Sequence, residues 1–461
     1  MTDNESQPSA QIFSIPIDTD HGRGYLIYAP LKGIAFIANP ALVNLIVKAC
    51  ERRQAVDRTA DTDDRFLDFL YTLDFFTPEP VPGADNAGDN VSLDTVVLFL
   101  SNRCNLACVY CYASANSYAP RDMPPALAKA AIDHFIQTRS PSVETLTLAF
   151  HGGGEPTMNP AVLTGAVDYA RGLCESRGLG LRLAGSSNGT WSDNLGRFMV
   201  ENFDELSISF DGPPEVQNRQ RPLVSGGPSF PRVKKNLDRL DRAGFNYGIR
   251  MTVTETSLDR MPESVDFICN NTGVRKIQVE PVFAEGRAID NRLRITKPDR
   301  FIEQFRRAHA IARGHDVHLF YSGARPETIT TRFCLCAGKA FVVTPEGDVT
   351  ACFEVYGRNH PKSDQFIIGA HDGNGGFSFH RDRHMIYRQQ CLANRPECRH
   401  CFCKWHCAGD CMVKTGDERT GQRDGVIATD RCYLTREITK YLIGQKIIDA
   451  GGLICTDTRE I

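Results

Sequence analysis

The sequence lacks any apolar run of the roughly eighteen residues that would indicate a membrane-spanning helix. It also lacks an excess of positive charge, because 53 Lys and Arg face 56 Asp and Glu for a net charge of −3. No basic field is therefore present to attract nucleic acid. Residues 1–8 are polar and acidic and carry no apolar segment typical of a secretion signal. We expect a cytoplasmic protein that binds neither nucleic acid nor a membrane.

Cysteine, in contrast, is abundant. The chain of 461 residues holds 17 cysteines, and in a reducing compartment metal ligation is a commoner use of thiols than disulfides. The cysteines are densest between Cys398 and Cys411. With 41% hydrophobic and 24% charged residues, the chain is otherwise an ordinary globular one, long enough for about two to four domains.

Three closely spaced cysteines carry the main chemical signal. Cys104, Cys108 and Cys111 stand at C-x3-C-x2-C spacing, shortly after an apolar run at 95–100 that is typical of a buried strand. Three thiolates can hold three irons of a cubic 4Fe–4S cluster, which normally takes four cysteines, and one iron then stays open to a chelating small molecule. Zinc is the alternative, but structural zinc usually takes four ligands. With Tyr110 before its last cysteine, the triplet resembles the signature of radical S-adenosylmethionine (SAM) enzymes.

Strands and helices alternate from residue 93 to about residue 321, which predicts a parallel sheet covered by helices. The predicted strands are 95–100, 145–150, 181–184, 205–210, 247–253 and 276–281. The predicted helices are 125–138, 160–177, 229–243, 261–271 and 298–313. Six such units make an α/β fold with a partial, TIM-like (β/α)6 barrel, which the resemblance also implies. Active sites of such barrels lie at the C-terminal ends of the strands, where the chemical motifs fall here.

The chain divides into three predicted domains, an N-terminal α+β domain with its linker at 1–92, the barrel at 93–321 and a cysteine-rich domain at 322–461. In the first domain we expect a hairpin of strands at 25–28 and 33–37, and two helices at 41–53 and 64–76. A Pro- and Gly-containing linker at 77–92 should follow. This arrangement is similar to the small peptide-recognition domain of many peptide-modifying radical enzymes. A structural cap on the barrel is an equally good interpretation.

The resemblance also implies which residues bind SAM. They are Tyr110, Gly152, Gly153, Gly154, Glu155, Asn188, Ser209, Arg221 and Gln278. The glycines and Glu155 match a Gly-Gly-Glu-Pro element whose backbone binds the amino group, and glycine does let a backbone pass close to a ligand. Ser209 would face the ribose and Gln278 would lie near the adenine. Arg221 would pair with the methionine carboxylate, which a guanidinium fork suits.

The last third of the chain carries further cysteine groups. Apolar segments at 342–344 and 349–352 flank a Gly-containing turn and predict a hairpin with cysteines at both ends. The spacing Cys398-x2-Cys401-x5-Cys407-x3-Cys411, with Cys432 further on, closely resembles the SPASM domain, an auxiliary-cluster extension. The resemblance implies one auxiliary 4Fe–4S cluster on Cys398, Cys401, Cys407 and Cys432, and another on Cys334, Cys336, Cys352 and Cys411. A zinc-ribbon-like module is the alternative.

The remaining cysteines have no place in this pattern. Cys391 and Cys403 are expected to be spare or structural thiols. Those in helical or terminal stretches are expected to be small buried apolar residues, namely Cys50, Cys174, Cys269 and Cys455.

By resemblance, the chain is a radical SAM oxidoreductase with SAM and three 4Fe–4S clusters, served by an external flavodoxin- or ferredoxin-like electron donor. An electron would cleave SAM to give a 5′-deoxyadenosyl radical, which removes hydrogen from a peptide or protein substrate. The preferred interpretation is a maturase that forms a thioether or C–C cross-link in a ribosomally made peptide. The alternatives are an anaerobic sulfatase-maturing enzyme, and a non-catalytic iron–sulfur electron carrier or zinc-stabilised binding module.

The catalytic base has one candidate. Sulfatase-maturing relatives place an Asp base directly after the cysteine that ends the SPASM hairpin, whereas here Phe353 follows Cys352 and Glu354 comes next. Strand alternation would put Glu354 on the face opposite to residue 353. We therefore expect no formylglycine formation, and Glu354 is named only as the residue to test.

Overall fold

The computed structural model describes residues 11–19, 22–54, 65–80, 82, 93–336, 338–380, 382, 391–414 and 430–455. Residues 1–8 and most of the predicted linker at 77–92 lie outside these ranges. Within them, no helix has the length and apolar character needed to cross a membrane. All 17 cysteines fall within the described ranges, and none of them forms a disulfide.

The strands are given in chain order. They are β1 (Phe13–Thr19), β2 (Gly22–Ala29), β3 (Ile34–Ala38), β4 (Thr95–Phe99), β5 (Thr145–His151), β6 (Gly180–Ser187), β7 (Glu205–Ser209), β8 (Tyr247–Val253), β9 (Lys276–Pro281), β10 (His318–Phe320), β11 (Ala340–Val343), β12 (Asp348–Thr350), β13 (Ile367–His371), β14 (Phe377–Phe379) and β15 (Leu453–Cys455).

The α-helices follow in the same way. They are α1 (Pro40–Gln54), α2 (Arg65–Thr72), α3 (Pro125–Thr138), α4 (Pro160–Arg177), α5 (Asp193–Asn202), α6 (Pro214–Gln220), α7 (Phe230–Arg242), α8 (Met261–Asn271), α9 (Arg287–Asp290), α10 (Pro298–Gly314), α11 (Ser363–Phe366), α12 (Lys404–Cys407) and α13 (Asp430–Asp449).

The larger sheet confirms the predicted fold class. Its order is β10-β9-β8-β7-β6-β5-β4-β11-β12-β13-β14, and the six predicted barrel strands, β4 to β9, lie side by side in parallel. The predicted C-terminal hairpin is also confirmed as β11 and β12. Strand β11 pairs in parallel with β4, so the cysteine-rich region continues the barrel sheet directly.

Burial alternates along the barrel strands and separates two sets of side chains. In β8, Tyr247, Ile249, Met251 and Val253 are buried, whereas the residues between them are only half-buried. Alternate residues of a strand point to opposite faces of the sheet. The apolar set belongs to the main hydrophobic core, while Arg250 acts electrostatically on residues of three loops at the strand ends. The polar face of β8 therefore points into the barrel, where the site is built.

The smaller sheet joins the two ends of the chain. Its order is β1-β2-β3-β15, and β15 pairs antiparallel with β3 so that Leu453 lies opposite Phe36. Helix α13 leads into β15 and packs on α10, where Arg313 and Asp449 form a 2.7 Å ion pair. The predicted hairpin is confirmed as β2 and β3, but β1 and β15 were not predicted.

Two local expectations are wrong. Helix α2 ends at Thr72 instead of residue 76. Cys455, expected to be buried, is exposed in β15.

Candidate active site and cluster sites

Inward-facing side chains form a row across three barrel strands. Ser209 of β7 lies opposite Arg250 of β8, and Arg250 lies opposite Gln278 of β9. Directly opposed residues share one face of a sheet. Ser209 and Gln278, both predicted SAM ligands, are thus brought to one surface, with Arg250 between them. Arg250 was missed because its charge stands inside an apolar strand pattern that predicted only a strand.

The cysteine loop after β4 receives hydrogen bonds on its sulfurs. The amide of Leu106 is 3.4 Å from Sγ of Cys104, and Nδ2 of Asn188 is 3.6 Å from the same sulfur. Burial raises the pKa of the Cys104 thiol, and the bond from Leu106 acts against that rise. Donors to sulfur favour the thiolate, which is the form that binds iron. Asn188, which the resemblance assigns to SAM binding, therefore lies beside the cysteine loop.

The glycine-rich turn is pressed against the entrance to this loop. A Cβ on Gly154 would lie 2.3 Å from the carbonyl oxygen of Arg103 and 2.5 Å from that of Ser101. The other two glycines are confined by side chains, Gly152 by Phe99 and Gly153 by Tyr356. The predicted reason for glycine was close approach to a ligand. Close approach to the protein itself already requires it at all three positions.

The carboxylate of Glu155 ties this turn to the end of β6. It accepts hydrogen bonds from Oγ of Ser187 at 2.7 Å, the amide of Asn188 at 2.8 Å and Oγ1 of Thr157 at 2.8 Å. Burial raises the pKa of Glu155, and these donors act against the rise. The side chain is thus engaged within the protein.

Arg221, to which the resemblance assigns the SAM carboxylate, already has a carboxylate partner. Its Nε lies 2.9 Å from Oδ2 of Asp211, and both side chains are buried. The guanidinium stacks on the ring of Tyr110 at 5.1 Å, and Nη1 lies 4.0 Å from Sγ of Cys108. Burial raises the pKa of Cys108 to about 11, and Arg221 is the strongest opposing influence. Arg221 therefore acts on the cysteine loop.

Asp211 is the centre of this buried network. Besides Arg221 it accepts hydrogen bonds from the hydroxyl of Tyr110, from Nε2 of Gln220 at 2.9 Å and from the amide of Thr252 at 3.0 Å. Sequence analysis missed its role. The available signal was a carboxylate at the C-terminal end of an apolar strand, just where a barrel gathers its functional groups.

The segment after β9 holds the cysteine loop from the other side. A Cβ on Gly286 would lie 2.4 Å from the carbonyl oxygen of Cys111, and the amide of Arg287 donates to that oxygen at 3.0 Å. Nδ2 of Asn291 donates to the carbonyl oxygen of Val109 at 2.7 Å. Within the described part of the chain, Nε and Nη2 of Arg287 are buried without a hydrogen-bond partner.

Tyr112 connects the cysteine loop to the C-terminal hairpin. Its hydroxyl donates to the carbonyl oxygen of Gly152 at 3.0 Å and lies 3.5 Å from that of Phe353. The ring of Phe353 is tilted against that of His151, with centroids 5.3 Å apart. Burial lowers the pKa of His151 to about 4, so its ring is neutral at pH 7. These three rings lie together between the two cysteine regions.

Glu354 lies close to two of these rings, Tyr112 and His151, and the alternation argument about it is wrong. Strand β12 ends at Thr350, so Glu354 is not bound by strand alternation. It forms a 2.7 Å ion pair with Lys414 and a hydrogen bond with Glu285. Burial disfavours its charge, but Lys414 outweighs burial and lowers the pKa of Glu354 to about 2. Burial, with the charge of Glu354, raises the pKa of Glu285 to about 8.

Four cysteines line a single cavity. They are Cys334, Cys336, Cys352 and Cys411. These are the four that the resemblance assigns to one auxiliary cluster. Burial raises the pKa of Cys352, and the neighbouring Cys411 adds to the rise.

A second group of cysteines surrounds Cys407. Burial raises the pKa of Cys407, and the neighbouring groups add to the rise, namely Asp410, Cys432, Cys401 and Cys398. The four cysteines that the resemblance assigns to the other auxiliary cluster are therefore within electrostatic reach of one another. Cys403, expected to be spare, donates a hydrogen bond that lowers the pKa of Cys401 to about 6.

The donor sets fit iron–sulfur clusters, because the grouped donors are thiols. A cubic cluster spreads its cysteines over separate irons. Grouped thiols that receive N–H donors fit that arrangement.

A family model described as the radical SAM superfamily matches residues 98–268. This range includes the cysteine loop, the glycine-rich turn and the Asp211 network. The chain spans about half the length of the first curated relatives that it matches, 57% of one and 45% of two others.

Other relatives are matched over more of their length. The mycofactocin maturase MftC of Mycolicibacterium smegmatis is 25% identical over 68% of this chain and 76% of its own. The serine-type anaerobic sulfatase-maturating enzyme of Klebsiella aerogenes is 22% identical over 67% of this chain and 76% of its own. The solved structure of native anSMEcpe with bound AdoMet and Cp18Cys peptide has a TM-score of 0.60 at 18% identity, over 78% of this chain and 99% of that one. At this identity the likeness concerns the fold.

Proposed function

We propose that the chain oxidises a peptide substrate. The premise is that residues 98–268 are a radical SAM domain and that the chain is an enzyme of that superfamily. The specific proposal is an oxidative thioether or C–C cross-link in a ribosomally made peptide. One observation carries it: Tyr112 joins the cysteine loop to the hairpin end that bears Cys352. A substrate bound at this junction would lie between the SAM site and an auxiliary cluster.

The proposal includes three 4Fe–4S clusters and SAM. When bound, SAM and the cluster on Cys104, Cys108 and Cys111 supply a 5′-deoxyadenosyl radical. The chain's own residues hold the cysteine loop rigid through the Asp211 network and the glycine-rich turn. The rings of Tyr112, His151 and Phe353 exclude water from the junction between the two cysteine regions.

The proposed product requires two oxidising equivalents. Closing the cross-link removes two hydrogens from the peptide. One would pass as a hydrogen atom to the 5′-deoxyadenosyl radical, and the other would leave as a proton to water and an electron. The cavity lined by Cys334, Cys336, Cys352 and Cys411 would hold the group that takes the electron. An external flavodoxin- or ferredoxin-like protein would supply the reducing electron for SAM.

Mass spectrometry tests the proposal. The chain is co-expressed anaerobically with a short peptide encoded beside its gene, and the peptide is fragmented. A loss of two hydrogens that maps to a linked pair of residues supports a cross-link. The same peptide recovered unmodified from wild-type enzyme that does cleave SAM would count against it. Co-expression with Cys104, Cys108 and Cys111 all replaced by Ala is the matched control.

A second candidate function is formylglycine formation on a sulfatase. The position of Glu354 favours it. The carboxylate lies two residues after Cys352, acts electrostatically on Tyr112 and is paired with Lys414. Oxidation of Cys or Ser to an aldehyde needs a proton acceptor. An aldehyde-specific hydrazide separates the two functions, because it labels formylglycine and leaves a cross-link unlabelled. Multiple-turnover labelling of a sulfatase-derived peptide would favour this second function over the first.

For the N-terminal domain we propose a structural role, as a cap on the barrel. Strand β15 forms one edge of its sheet and is only three residues long, and Pro16 in the other edge strand, β1, has no N–H to offer an added strand. Both edges are thus poorly suited to peptide addition. Hydrogen exchange with and without a substrate peptide tests this, because new protection confined to β1 or β15 would contradict a purely structural cap.

A further inference from the structure

Two arginines lie beside the cysteine loop, and their own partners differ. Nε of Arg221 is occupied by Asp211 at 2.9 Å. Within the described residues, Nε and Nη2 of Arg287 are buried and donate to no hydrogen-bond partner. Buried donors without a partner are costly and call for an explanation.

The position of Arg287 is fixed by its backbone. Its amide donates to the carbonyl oxygen of Cys111 at 3.0 Å, and Gly286 is packed too closely on the same oxygen for any side chain. Asn291 secures the next turn by its bond to Val109. The guanidinium is therefore held beside the loop whose cluster would leave one iron open to a chelating ligand.

The two free nitrogens form one edge of the guanidinium fork. This edge binds a carboxylate in a two-point, side-on manner. The chain uses it so elsewhere: Nε and Nη2 of Arg431 donate to the two oxygens of Asp410 at 2.6 and 2.7 Å. In Arg287 the same edge is buried and unused. In Arg221 it is not available, because Asp211 occupies Nε.

We propose that Arg287, rather than Arg221, binds the α-carboxylate of SAM. This inference rests on the proposed function, since it requires that SAM binds beside the cysteine loop. Arg221 then serves as a positioning residue that carries its charge to Cys108. The sequence resemblance pointed to Arg221 because the partnership with Asp211 is visible only in the fold.

Ligand binding tests the assignment without turnover. Dissociation constants are measured anaerobically on cluster-loaded enzyme for SAM and for decarboxylated SAM, which keeps the sulfonium and the amine and lacks only the carboxylate. We expect Arg287→Gln to weaken SAM binding about ten-fold or more and to leave the affinity for decarboxylated SAM unchanged. Arg294→Gln, an exposed change in the same segment, should alter neither affinity.

Two outcomes would overturn the assignment. Arg287→Gln could weaken both ligands equally, which is the result of a structural role, or Arg221→Gln alone could show the carboxylate-specific loss. Should Arg287→Gln fail to load iron, Arg287→Lys gives the same comparison, because it keeps the charge and loses the fork. Wild-type enzyme that loads iron but binds no SAM would instead refute the proposed function, and this inference with it.

Discussion

The carboxylate of Asp211 and the guanidinium of Arg221 form a 2.9 Å ion pair in which both side chains are buried. The pair lies under the cysteine loop and stacks on Tyr110. Removing one partner of a buried pair leaves the other charge uncompensated, whereas water screens an exposed pair. The stability of the loop should therefore depend on Asp211 more than on any acidic residue of the surface pairs.

We expect Asp211→Asn to lower the free energy of unfolding by about 3 kcal/mol, because the charge of Arg221 remains buried without its partner. Asp193→Asn is the matched control. Asp193 pairs with Lys235 and Arg239 but is half exposed, so little change should follow. Denaturant unfolding of both variants measures the difference. Equal losses would contradict a special role for the Asp211 pair.

The sequence predicted the parts of the site that local pattern determines. Short segments of sequence are enough to predict the spacing of Cys104, Cys108 and Cys111. The same is true of the strands that place motifs at one end of the barrel. The partnership of Asp211 with Arg221 could not be predicted, because a buried pair is indistinguishable in sequence from two solvated charges. The same applies to Arg287, whose neighbours are set by packing.

Long-range strand pairing could not be predicted from the sequence, for a related reason. Strand β15 is three residues long and pairs with β3 from the other end of the chain. No periodicity in so short a segment indicates its partner. The alternation argument about Glu354 failed because it assumed that β12 continues to residue 354, whereas the strand ends at Thr350.

Gly154→Ala should prevent assembly of the cysteine loop. The added Cβ would lie 2.3 Å from the carbonyl oxygen of Arg103, which is backbone and cannot move aside alone. Gly165→Ala in α4 meets nothing within 4 Å and should gain about 0.5–1 kcal/mol from helix propensity. Iron content and unfolding temperature report both effects. A Gly154→Ala protein with wild-type iron and stability would show that the close contact has been misjudged.

Replacing Cys398 and Cys401 by Ala should separate the cluster sites. Auxiliary iron and peptide product should be lost, while SAM cleavage survives, because the cysteine loop is held by other residues. Iron analysis, product mass and 5′-deoxyadenosine are measured on one preparation. A double variant with unchanged iron content would contradict the assignment of these cysteines.

Glu285 should make stability depend on pH. Burial and the charge of Glu354 raise the pKa of Glu285 to about 8, against an ordinary value of about 4.3, so the folded protein binds the proton more tightly. Its contribution to stability is therefore lost as the pH rises through 8.

Glu285→Gln is expected to unfold at a higher temperature than the wild type at pH 9, and by a smaller margin at pH 6. In contrast, Glu263→Gln should show no such trend, because its hydrogen bond with Arg260 keeps the pKa of Glu263 below its ordinary value and the group ionised throughout. Melting curves across this range decide the matter. A difference between Glu285→Gln and wild type that is independent of pH would refute the raised pKa.

The most direct test of the central claim is the release of 5′-deoxyadenosine. Anaerobically reconstituted protein is incubated with SAM and dithionite, and the nucleoside is quantified by chromatography. Wild-type protein and Cys455→Ala, an exposed cysteine outside every group, should release it. Replacement of Cys104, Cys108 and Cys111 together by Ala should abolish the release, because no open iron site remains. Undiminished 5′-deoxyadenosine from that triple variant would contradict the account.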